Sequence, residues 1–280
     1  MISDSDAQEM LESRDLIAIG VRADDIRRRL HGTRTTFVRV FELHVDAPAA
    51  SRPAGTSAGE FRVVGRPASL DAAIAAVRAA IRLAGDVPVT GFSLVDLLAL
   101  DGSSSLAGAC RALREAGLEA IAEAPLDRLD DPGAAITAAR TAGLAVPRLT
   151  VHQLAPGDRV SLPNRARDLQ KAVGGFYAFA PLPRSISSAA PSTGYDDVKQ
   201  IALARLIAGN IQSIQVDWSL YGPKLAQFAL TIGADDVDAV TAVDPGILGA
   251  RRSPIEEIRG NIRSAALEPV ERNGRFEAIG

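Results

Sequence analysis

Residues 191–236 decide the fold: PSTGYDDVKQIALARLIAGNIQSIQVDWSLYGPKLAQFALTIGADD. Thr193 and Asp196 have the spacing of a helix-capping box, and apolar residues then recur at three- and four-residue steps until a Gly-Asn pair ends the helix. Between residues 214 and 219 apolar and polar side chains alternate, which predicts a strand. Pro223 then begins a second helix, where its missing N–H leaves no backbone bond unmade. This order predicts one unit of a parallel α/β sheet.

The same alternation continues along the chain. Strands are predicted at residues 35–45, 61–65, 87–92, 118–124, 148–153, 176–181, 214–219 and 237–243. Besides the two helices of 191–236, helices are predicted at residues 5–31, 69–85, 104–117, 132–143, 160–173 and 253–265. Eight strands alternating with helices predict an α/β fold, a (β/α)8 TIM-type or partly open barrel. No linker divides the sequence, so we expect a single domain over 1–280, with an N-terminal helical extension, the barrel and a C-terminal helix and tail at 1–34, 35–243 and 244–280.

The segment between the first two strands departs from this pattern. Residues 46–59, DAPAASRPAGTSAG, are rich in Pro, Ala, Ser and Gly, which predicts irregular chain. We therefore expect the helix of the first crossover to be shortened or missing. Its loss would expose apolar strand surface, and we expect the N-terminal segment or another subunit to bury that surface.

Composition excludes several classes of function. The net charge is −3 and the pI is near 5.7, so the chain lacks the basic surface with which proteins bind nucleic acids or anionic membranes. No apolar run approaches the roughly 18 residues of a membrane span. The acidic, polar N-terminus is unlike a signal peptide, and a single cysteine excludes an internal disulfide. We therefore expect a cytoplasmic protein.

Residues 191–236 also carry a family resemblance. The pattern TGYDD…IALARL…NIQ.IQ.DW…GPKLAQ.AL..GADD resembles the C-terminal half of the futalosine-pathway radical S-adenosylmethionine enzymes. These are aminofutalosine synthase and dehypoxanthine futalosine cyclase of menaquinone biosynthesis, together with the related deazaflavin synthase subunit. The likeness extends upstream through residues 166–182, downstream to 269–272 and, more weakly, back to 23–34.

The resemblance implies a cofactor site that this sequence does not reproduce. In the family, the first strand runs into a C-x3-C-x2-C loop whose thiolates hold a [4Fe–4S] cluster, and the cluster binds S-adenosylmethionine. Here the first strand runs into residues 45–50, VDAPAA, without a cysteine. Cys110 lies in a predicted helix, where it is expected to pack in the core. Arg66 follows Gly65 where the family has a Gly-Gly pair for the methionine ammonium group, which Arg66 would repel. We therefore expect no cluster, no S-adenosylmethionine and no other cofactor.

Polar side chains gather where the predicted strands end. In a parallel barrel the active site lies at the C-terminal ends of the strands, called here the mouth. Strand alternation directs nine side chains there: Glu42, His44, Arg66, Thr90, Glu123, His152, Gln215, Asp217 and Ser219. We predict Glu42, His44 and Asp217 as acid–base residues, since closing the barrel brings Asp217 near His44. The predicted ligand-binding residues are Arg66, Glu123, His152, Arg184, Gln215, Ser219 and Tyr221.

Other interpretations of these residues stay open. They can be polar fillers that hydrogen-bond inside the barrel. His44, His152 and a carboxylate, Glu42 or Asp217, could form a facial metal triad. Their spacing is not diagnostic, so we predict no metal site. The alternation also predicts that Trp218 packs in the core, and the run of residues 27–29, RRR, is expected to be a solvated helix face.

Two functions follow as hypotheses. The first is a cluster-less homologue of the futalosine-pathway enzymes that serves as a non-catalytic binding or partner module. Its partner would be a small-molecule ligand, a second copy of the chain or a catalytic homologue. The alternative is a non-radical enzyme that uses the mouth residues on a nucleoside-like or carboxylated substrate. An interior filled by apolar side chains favours the first, and an open pocket with unpaired polar groups favours the second.

Overall fold

The structure is a computed structural model that describes residues 2–47, 49, 51–100, 105–185, 193–244, 246 and 253–279. The strands are β1 (Arg34–His44), β2 (Glu60–Val64), β3 (Val89–Ser93), β4 (Ala120–Glu123), β5 (Arg148–Val151), β6 (Ala178–Pro183), β7 (Ser213–Asp217), β8 (Asp236–Thr241) and β9 (Glu268–Glu271). The helices are α1 (Asp4–Glu12), α2 (Leu16–His31), α3 (Leu70–Ala84), α4 (Leu94–Leu98), α5 (Leu106–Glu115), α6 (Pro132–Thr141), α7 (Asp158–Ala172), α8 (Gly194–Ile207), α9 (Trp218–Leu230) and α10 (Pro254–Ser264). None of these helices is long and apolar enough to span a membrane.

Eight parallel strands form a nearly closed barrel. They lie in the order β4-β3-β2-β1-β8-β7-β6-β5. The ends of this row, β4 and β5, approach each other through backbone bonds. Thr150 donates to the carbonyl of Ala124 at 3.0 Å, and Leu126 donates to the carbonyl of Thr150 at 2.9 Å. The predicted (β/α)8 fold is confirmed.

The first crossover contains no regular helix in its described residues, as predicted. Under this crossover, the rings of Phe41 on β1 and Phe61 on β2 lie 5.0 Å apart. The two residues are 7% and 0% exposed. The Arg52 guanidinium sits 5.6 Å from the Phe61 ring, and Ala58 packs against the same core. The crossover itself therefore covers the strands. The expectation that the N-terminal segment does so is wrong, because α1 and α2 pack against α7 and α8.

Within residues 191–236, the structure differs from the prediction at one boundary. The capping box at Thr193 and Asp196 is present, and β7 follows α8 as expected. However, β7 ends at Asp217, whose carboxylate accepts the N–H of Leu220 at 2.9 Å and caps α9. Trp218 and Ser219 therefore lie in the first helical turn rather than in the strand. Gly222, with φ 74°, separates this turn from the helix that Pro223 begins.

The C-terminal tail closes the N-terminal end of the barrel. The strand β9, which the sequence did not predict, pairs with the first residues of β1, and β2 pairs with β1 only from Val40 onward. Arg272 follows β9 and donates to both carboxylate oxygens of Asp236, at 2.6 and 2.7 Å. Phe276 stacks on its guanidinium group at 4.0 Å. The tail thus blocks the end of the barrel opposite the mouth.

The basic run of α2 is only partly solvated. Arg28 and Arg29 are exposed as expected, but Arg27 is fully buried. Its guanidinium donates to Asp24 at 2.7 Å and to the carbonyl of Gly32 at 3.2 Å. The prediction of a solvated face is therefore wrong for Arg27, because α2 turns this residue toward α8.

Candidate functional site at the barrel mouth

Charged side chains, rather than apolar ones, fill the centre of the barrel. In β2, Glu60 and Arg62 alternate with the core residues Phe61 and Val63, so both charges point to the opposite side of the sheet. Arg148 of β5 and Asp238 of β8 reach the same place. All four charged residues are at most 5% exposed.

These four residues form one network, here called the interior network. Arg62 donates through Nε to Glu60 at 2.7 Å and through Nη1 and Nη2 to Asp238 at 3.1 and 2.8 Å. Arg148 donates to Asp238 Oδ2, the oxygen that also accepts from Nη1 of Arg62, and it lies 3.9 Å from Glu60. The hydroxyl of Thr90 donates to Glu60 at 2.5 Å. Two arginines thus stand between two carboxylates, while Glu60 Oε2 and Arg148 Nε are buried without a hydrogen-bond partner among the described residues.

Burial and charge compete at each member of the interior network. Burial disfavours ionised Asp238, but the positive charges of Arg148 and Arg62 outweigh this cost and hold its carboxyl pKa well below the usual range. The pKa of Glu60 is lowered in the same way, by Arg62 and Arg148 against burial. Burial also opposes the charge on Arg62, yet Asp238 and Glu60 raise its pKa. At Arg148 the effect of burial exceeds the attraction of Asp238 and Glu60, so the pKa of its guanidinium is lowered.

Arg184 continues this network to the mouth. It follows β6 and forms an ion pair with Asp217 at the end of β7. Its Nη2 lies 3.5 Å from Asp238, and its Nε lies 3.7 Å from Glu123. Neither nitrogen forms a hydrogen bond with a described residue. The loop beyond Ser185, residues 186–192, lies outside the described residues.

The outer rim of the mouth carries free charged groups. Glu42 and His44 are exposed at the end of β1, and Glu42 is the register partner of Arg62. Arg66 is exposed after β2. Within the described chain, these three side chains form no hydrogen bond or ion pair. His152 is half-buried, and its backbone N–H donates to Asp127 at 2.7 Å.

The remaining predicted site residues are already bonded to neighbours. Gln215 is buried and donates to Asp236 at 2.6 Å, which places it toward the closed end of the barrel. Ser219 lies on α9 and donates to Asp217 at 3.0 Å. The Tyr221 hydroxyl donates to the carbonyl of Pro183 at 2.6 Å, and burial raises its pKa. Asp217 is thus held by Arg184 and by α9.

The predicted acid–base residues are divided between two places. Glu42 and His44 share the solvent-facing rim at β1, whereas Asp217 is a buried partner of Arg184 on β7, and β8 lies between these strands. Their catalytic role stays a prediction. No three His, Cys, Asp or Glu side chains in the described ranges are placed to hold a metal ion, so His44, His152 and a carboxylate do not form the triad.

Comparisons with known proteins agree with the resemblance. Residues 176–279 match the family model of the CofH/MqnC C-terminal region. Of the charged residues above, this region contributes Arg184, Asp217, Asp236, Asp238 and Arg272. Glu60, Arg62 and Arg148 come from the chain before it.

Curated relatives extend the match. Aminodeoxyfutalosine synthase of Streptomyces coelicolor is 32% identical over 145 residues, 44% of this chain and 38% of that protein. Cyclic dehypoxanthine futalosine synthase of the same organism is 27% identical over 214 residues, 68% of this chain and 54% of that protein. A 5-amino-6-(D-ribitylamino)uracil–L-tyrosine 4-hydroxyphenyl transferase of Methanosarcina barkeri is 30% identical over 166 residues, 51% of this chain and 43% of that protein. The predicted resemblance is confirmed, and the matches span only about two fifths to one half of these relatives.

Solved structures agree on the fold. Methylornithine synthase superposes with a TM-score of 0.65 at 14% identity, covering 96% of this chain and 94% of that one. A maturase of [FeFe]-hydrogenase superposes with a TM-score of 0.63 at 13% identity, covering 96% of this chain and 72% of that one. At such identities the likeness shows the barrel alone.

The cluster and S-adenosylmethionine that the resemblance implies do not fit the donor set of this chain. A [4Fe–4S] cluster needs several thiolates, and the sequence has one cysteine. Cys110 is fully buried in α5, and burial raises the pKa of its thiol to about 11, which disfavours the thiolate that binds iron. The Arg66 side chain also brings a positive charge to the mouth, after Gly65.

The predicted site residues lie at strand ends, so the prediction did not include the interior network, most of whose charges lie within the strands. Its signal is present in the sequence, in the strands EFRVV, RLTV and DVDAVT. Each places charged residues in a strand that a barrel buries on both sides, and together the three strands carry both signs of charge. Such charges must pair with one another. This rule would have predicted contacts among Glu60, Arg62, Arg148 and Asp238.

Proposed function

We propose that this chain is a cluster-less relative of the futalosine-pathway radical S-adenosylmethionine enzymes that acts as a non-catalytic binding or partner module. One observation carries the proposal. The space inside the barrel holds the interior network, whose charges neutralise one another, with Arg184 above it bound to Asp217. A ligand that entered this space would have to displace ion pairs that are already made. The side chains that fill the interior are polar, whereas the first hypothesis expected apolar ones. They nevertheless occupy the space that a ligand would need.

The donor set supports the same proposal. Radical chemistry of the family depends on cluster thiolates, and the one thiol of this chain is buried and protonated. A barrel that cannot carry out radical chemistry can still bind a partner, so this donor set is consistent with a partner module. Its pathway would be the one in which its relatives act, as a companion of a catalytic homologue.

Anaerobic reconstitution with iron and sulfide tests the proposal. We expect no stoichiometric iron or sulfide and none of the broad visible absorbance of a cluster. We also expect no reductive cleavage of S-adenosylmethionine, because one cysteine cannot hold the [4Fe–4S] cluster that donates the electron. Aminodeoxyfutalosine synthase, treated identically, is the positive control. A stoichiometric cluster that persists in Cys110→Ala would refute the proposal, since other residues would then supply the ligands.

A second candidate function rests on the rim. Glu42 and His44 are exposed, are neighbours on one face of β1 and are unpaired in the described chain, and two nitrogens of Arg184, Nε and Nη2, form no hydrogen bond there. These groups suit an acid–base reaction on a nucleoside-like or carboxylated substrate. Calorimetric titration with futalosine-type nucleosides, followed by analysis of the recovered nucleoside for chemical conversion, separates the two functions. Binding and conversion that are lost in His44→Ala and kept in Asp86→Asn, in the exposed turn before β3, support the enzyme. If the wild type gives no heat of binding, the result supports the partner module instead of the enzyme.

A further inference from the structure

A cavity lies at the end of the barrel opposite the mouth. It has a volume of about 290 Å³ and is here called the floor pocket. Its lining includes His31 at the end of α2, Arg34 and Ser213 at the starts of β1 and β7, Tyr177 before β6 and Phe276 of the tail. The predicted mouth residues are absent from the lining that the structure describes, so the floor pocket is a separate cavity.

Strand register directs Arg34 and Ser213 to the same side of the sheet. Thr36 and Gln215 are both register partners of Asp236, and both donate to its carboxylate, at 2.5 and 2.6 Å. Arg34 and Ser213 each lie two residues before these donors, so their side chains leave the strands on the same face. Only β8 lies between β1 and β7, so the two strands are about 10 Å apart. A ligand group between them can therefore contact both side chains.

The hydroxyl of Ser213 is an unused hydrogen-bonding group of the floor pocket. Ser213 is 8% exposed, and its hydroxyl forms no hydrogen bond with a described residue. Two residues further along β7, the buried Oε1 atom of Gln215 also lacks a partner among the described residues. Buried polar groups are nearly always hydrogen-bonded. Ser213 therefore marks a position where a bound group is missing its place in the hydrogen-bonding pattern.

Most charged groups around the floor pocket are already paired. The lining residues with a carboxylate, guanidinium or imidazole group are His31, Arg34, Asp235 and Arg272. The carboxylate of Asp235 forms an ion pair with Arg205 and lies 3.1 Å from Nε2 of His31. The guanidinium of Arg272 is bound to both oxygens of Asp236. Of the charged lining groups, this leaves the guanidinium of Arg34.

Arg34 is a cation without a partner in the described chain. It is exposed and forms no hydrogen bond or ion pair with a described residue. Its register partner on β9, Glu268, lies outside the described lining and forms no ion pair with it. A guanidinium binds a carboxylate or a phosphate through two parallel hydrogen bonds. An available guanidinium beside an available hydroxyl therefore suits either of these anionic groups.

Another part of the lining is apolar. The rings of Tyr177 and Phe276 stack with their centroids 5.4 Å apart, and Phe276 also lies on the Arg272 guanidinium. Tyr177 and Leu30 are both 48% exposed. Binding pockets for small molecules combine apolar surface with a few polar groups in this way. The floor pocket can thus cover the hydrocarbon part of a ligand as well as its charged group.

We propose that the floor pocket binds a small organic anion. The carboxylate or phosphate group of the ligand pairs with Arg34 and accepts the hydroxyl hydrogen of Ser213. The apolar body of the ligand lies against Tyr177 and Leu30. The mouth takes no part in this binding, so the inference does not depend on the proposed function.

Calorimetric titration with simple probes tests the proposal. Phenyl phosphate and benzoate carry an anionic group and an apolar ring, whereas phenol lacks the charge and inorganic phosphate lacks the ring. At concentrations up to about 10 mM, we expect phenyl phosphate or benzoate to bind more tightly than phenol and inorganic phosphate. The tighter of the two organic anions identifies the charged group that the pocket prefers. If neither binds more tightly than phenol, the proposal is wrong.

Variants locate the binding site. Arg34→Gln should weaken the organic anion by about tenfold or more, because a charge-assisted hydrogen bond is lost. Arg34→Lys should restore part of the affinity, and Ser213→Ala should weaken binding several-fold. Arg78→Gln on α3 is the matched control, since Arg78 is also exposed without an ion pair to a described residue, and it should leave binding unchanged.

Tyr177→Ala separates the two parts of the pocket. It should weaken phenyl phosphate several-fold and leave inorganic phosphate unchanged, because only the ring contact is removed. Arg34 and Tyr177 are exposed, so their variants should keep the wild-type circular dichroism. Binding that resists Arg34→Gln would overturn the proposal. So would binding that is lost in Arg66→Gln, because the anion would then occupy the mouth.

Discussion

Asp238 is the carboxylate that the arginines of the barrel interior share. It accepts from Arg62 and Arg148, and Arg184 stands 3.5 Å away. Because the site is buried, the attraction that stabilises the carboxylate would be lost together with its charge. Three buried arginines would then share fewer carboxylates, and an unpaired buried charge costs far more than a surface pair contributes.

We expect Asp238→Asn to lower the free energy of unfolding by about 3–5 kcal/mol. Urea unfolding followed by circular dichroism measures the loss. Asp86→Asn is the matched control, since Asp86 is exposed at the end of the turn before β3, and its effect should stay within about 0.5 kcal/mol. Equal stability of the two variants would mean that the interior network is not dry.

At the scale of elements, local signals predicted the strands and helices well and their ends less well. The capping box of Thr193 and the Pro-rich first crossover were predicted because both depend on neighbouring residues alone. The end of β7 was misplaced because Asp217 acts as a helix cap, which alternation does not reveal. The pairing of β9 with β1 joins residues far apart in sequence, and no local pattern carries it. The contacts among the charged interior residues could not be predicted without knowing which strands are neighbours in the barrel.

The C-terminal tail offers a matched pair of arginines. Arg272 is 1% exposed and holds Asp236, whereas the side chain of Arg275 is 45% exposed and holds Glu119. Arg272→Met should cost about 3–5 kcal/mol, because Asp236 would stay buried with only neutral donors. Arg275→Met should cost at most about 1 kcal/mol. Chemical unfolding of both variants checks the difference. Hydrogen exchange should also quicken at Arg34–Phe37 in Arg272→Met alone, and equal losses in the two variants would contradict a plugging role.

At the scale of the molecule, the buried carboxylates link stability to pH. The folded pKa values of Asp238 and Glu60 lie below those of the unfolded chain, so the unfolded chain binds protons first as the pH falls. Their contribution is complete above the unfolded values and is lost as the pH drops through the folded ones. The arginines stay charged throughout, so they do not offset this loss.

We therefore expect the free energy of unfolding to be nearly constant around neutral pH and to fall steeply below about pH 4.5, where unfolded carboxyl groups protonate. Each of the two carboxylates can contribute up to about 1.4 kcal/mol per pH unit to that slope. Removing one of them in Asp238→Asn should make the acid limb shallower as well as lowering the plateau, while Asp86→Asn should change neither. Urea unfolding at a series of pH values measures both quantities. An acid limb of unchanged slope in Asp238→Asn would show that Asp238 is protonated, or solvated, in the folded barrel.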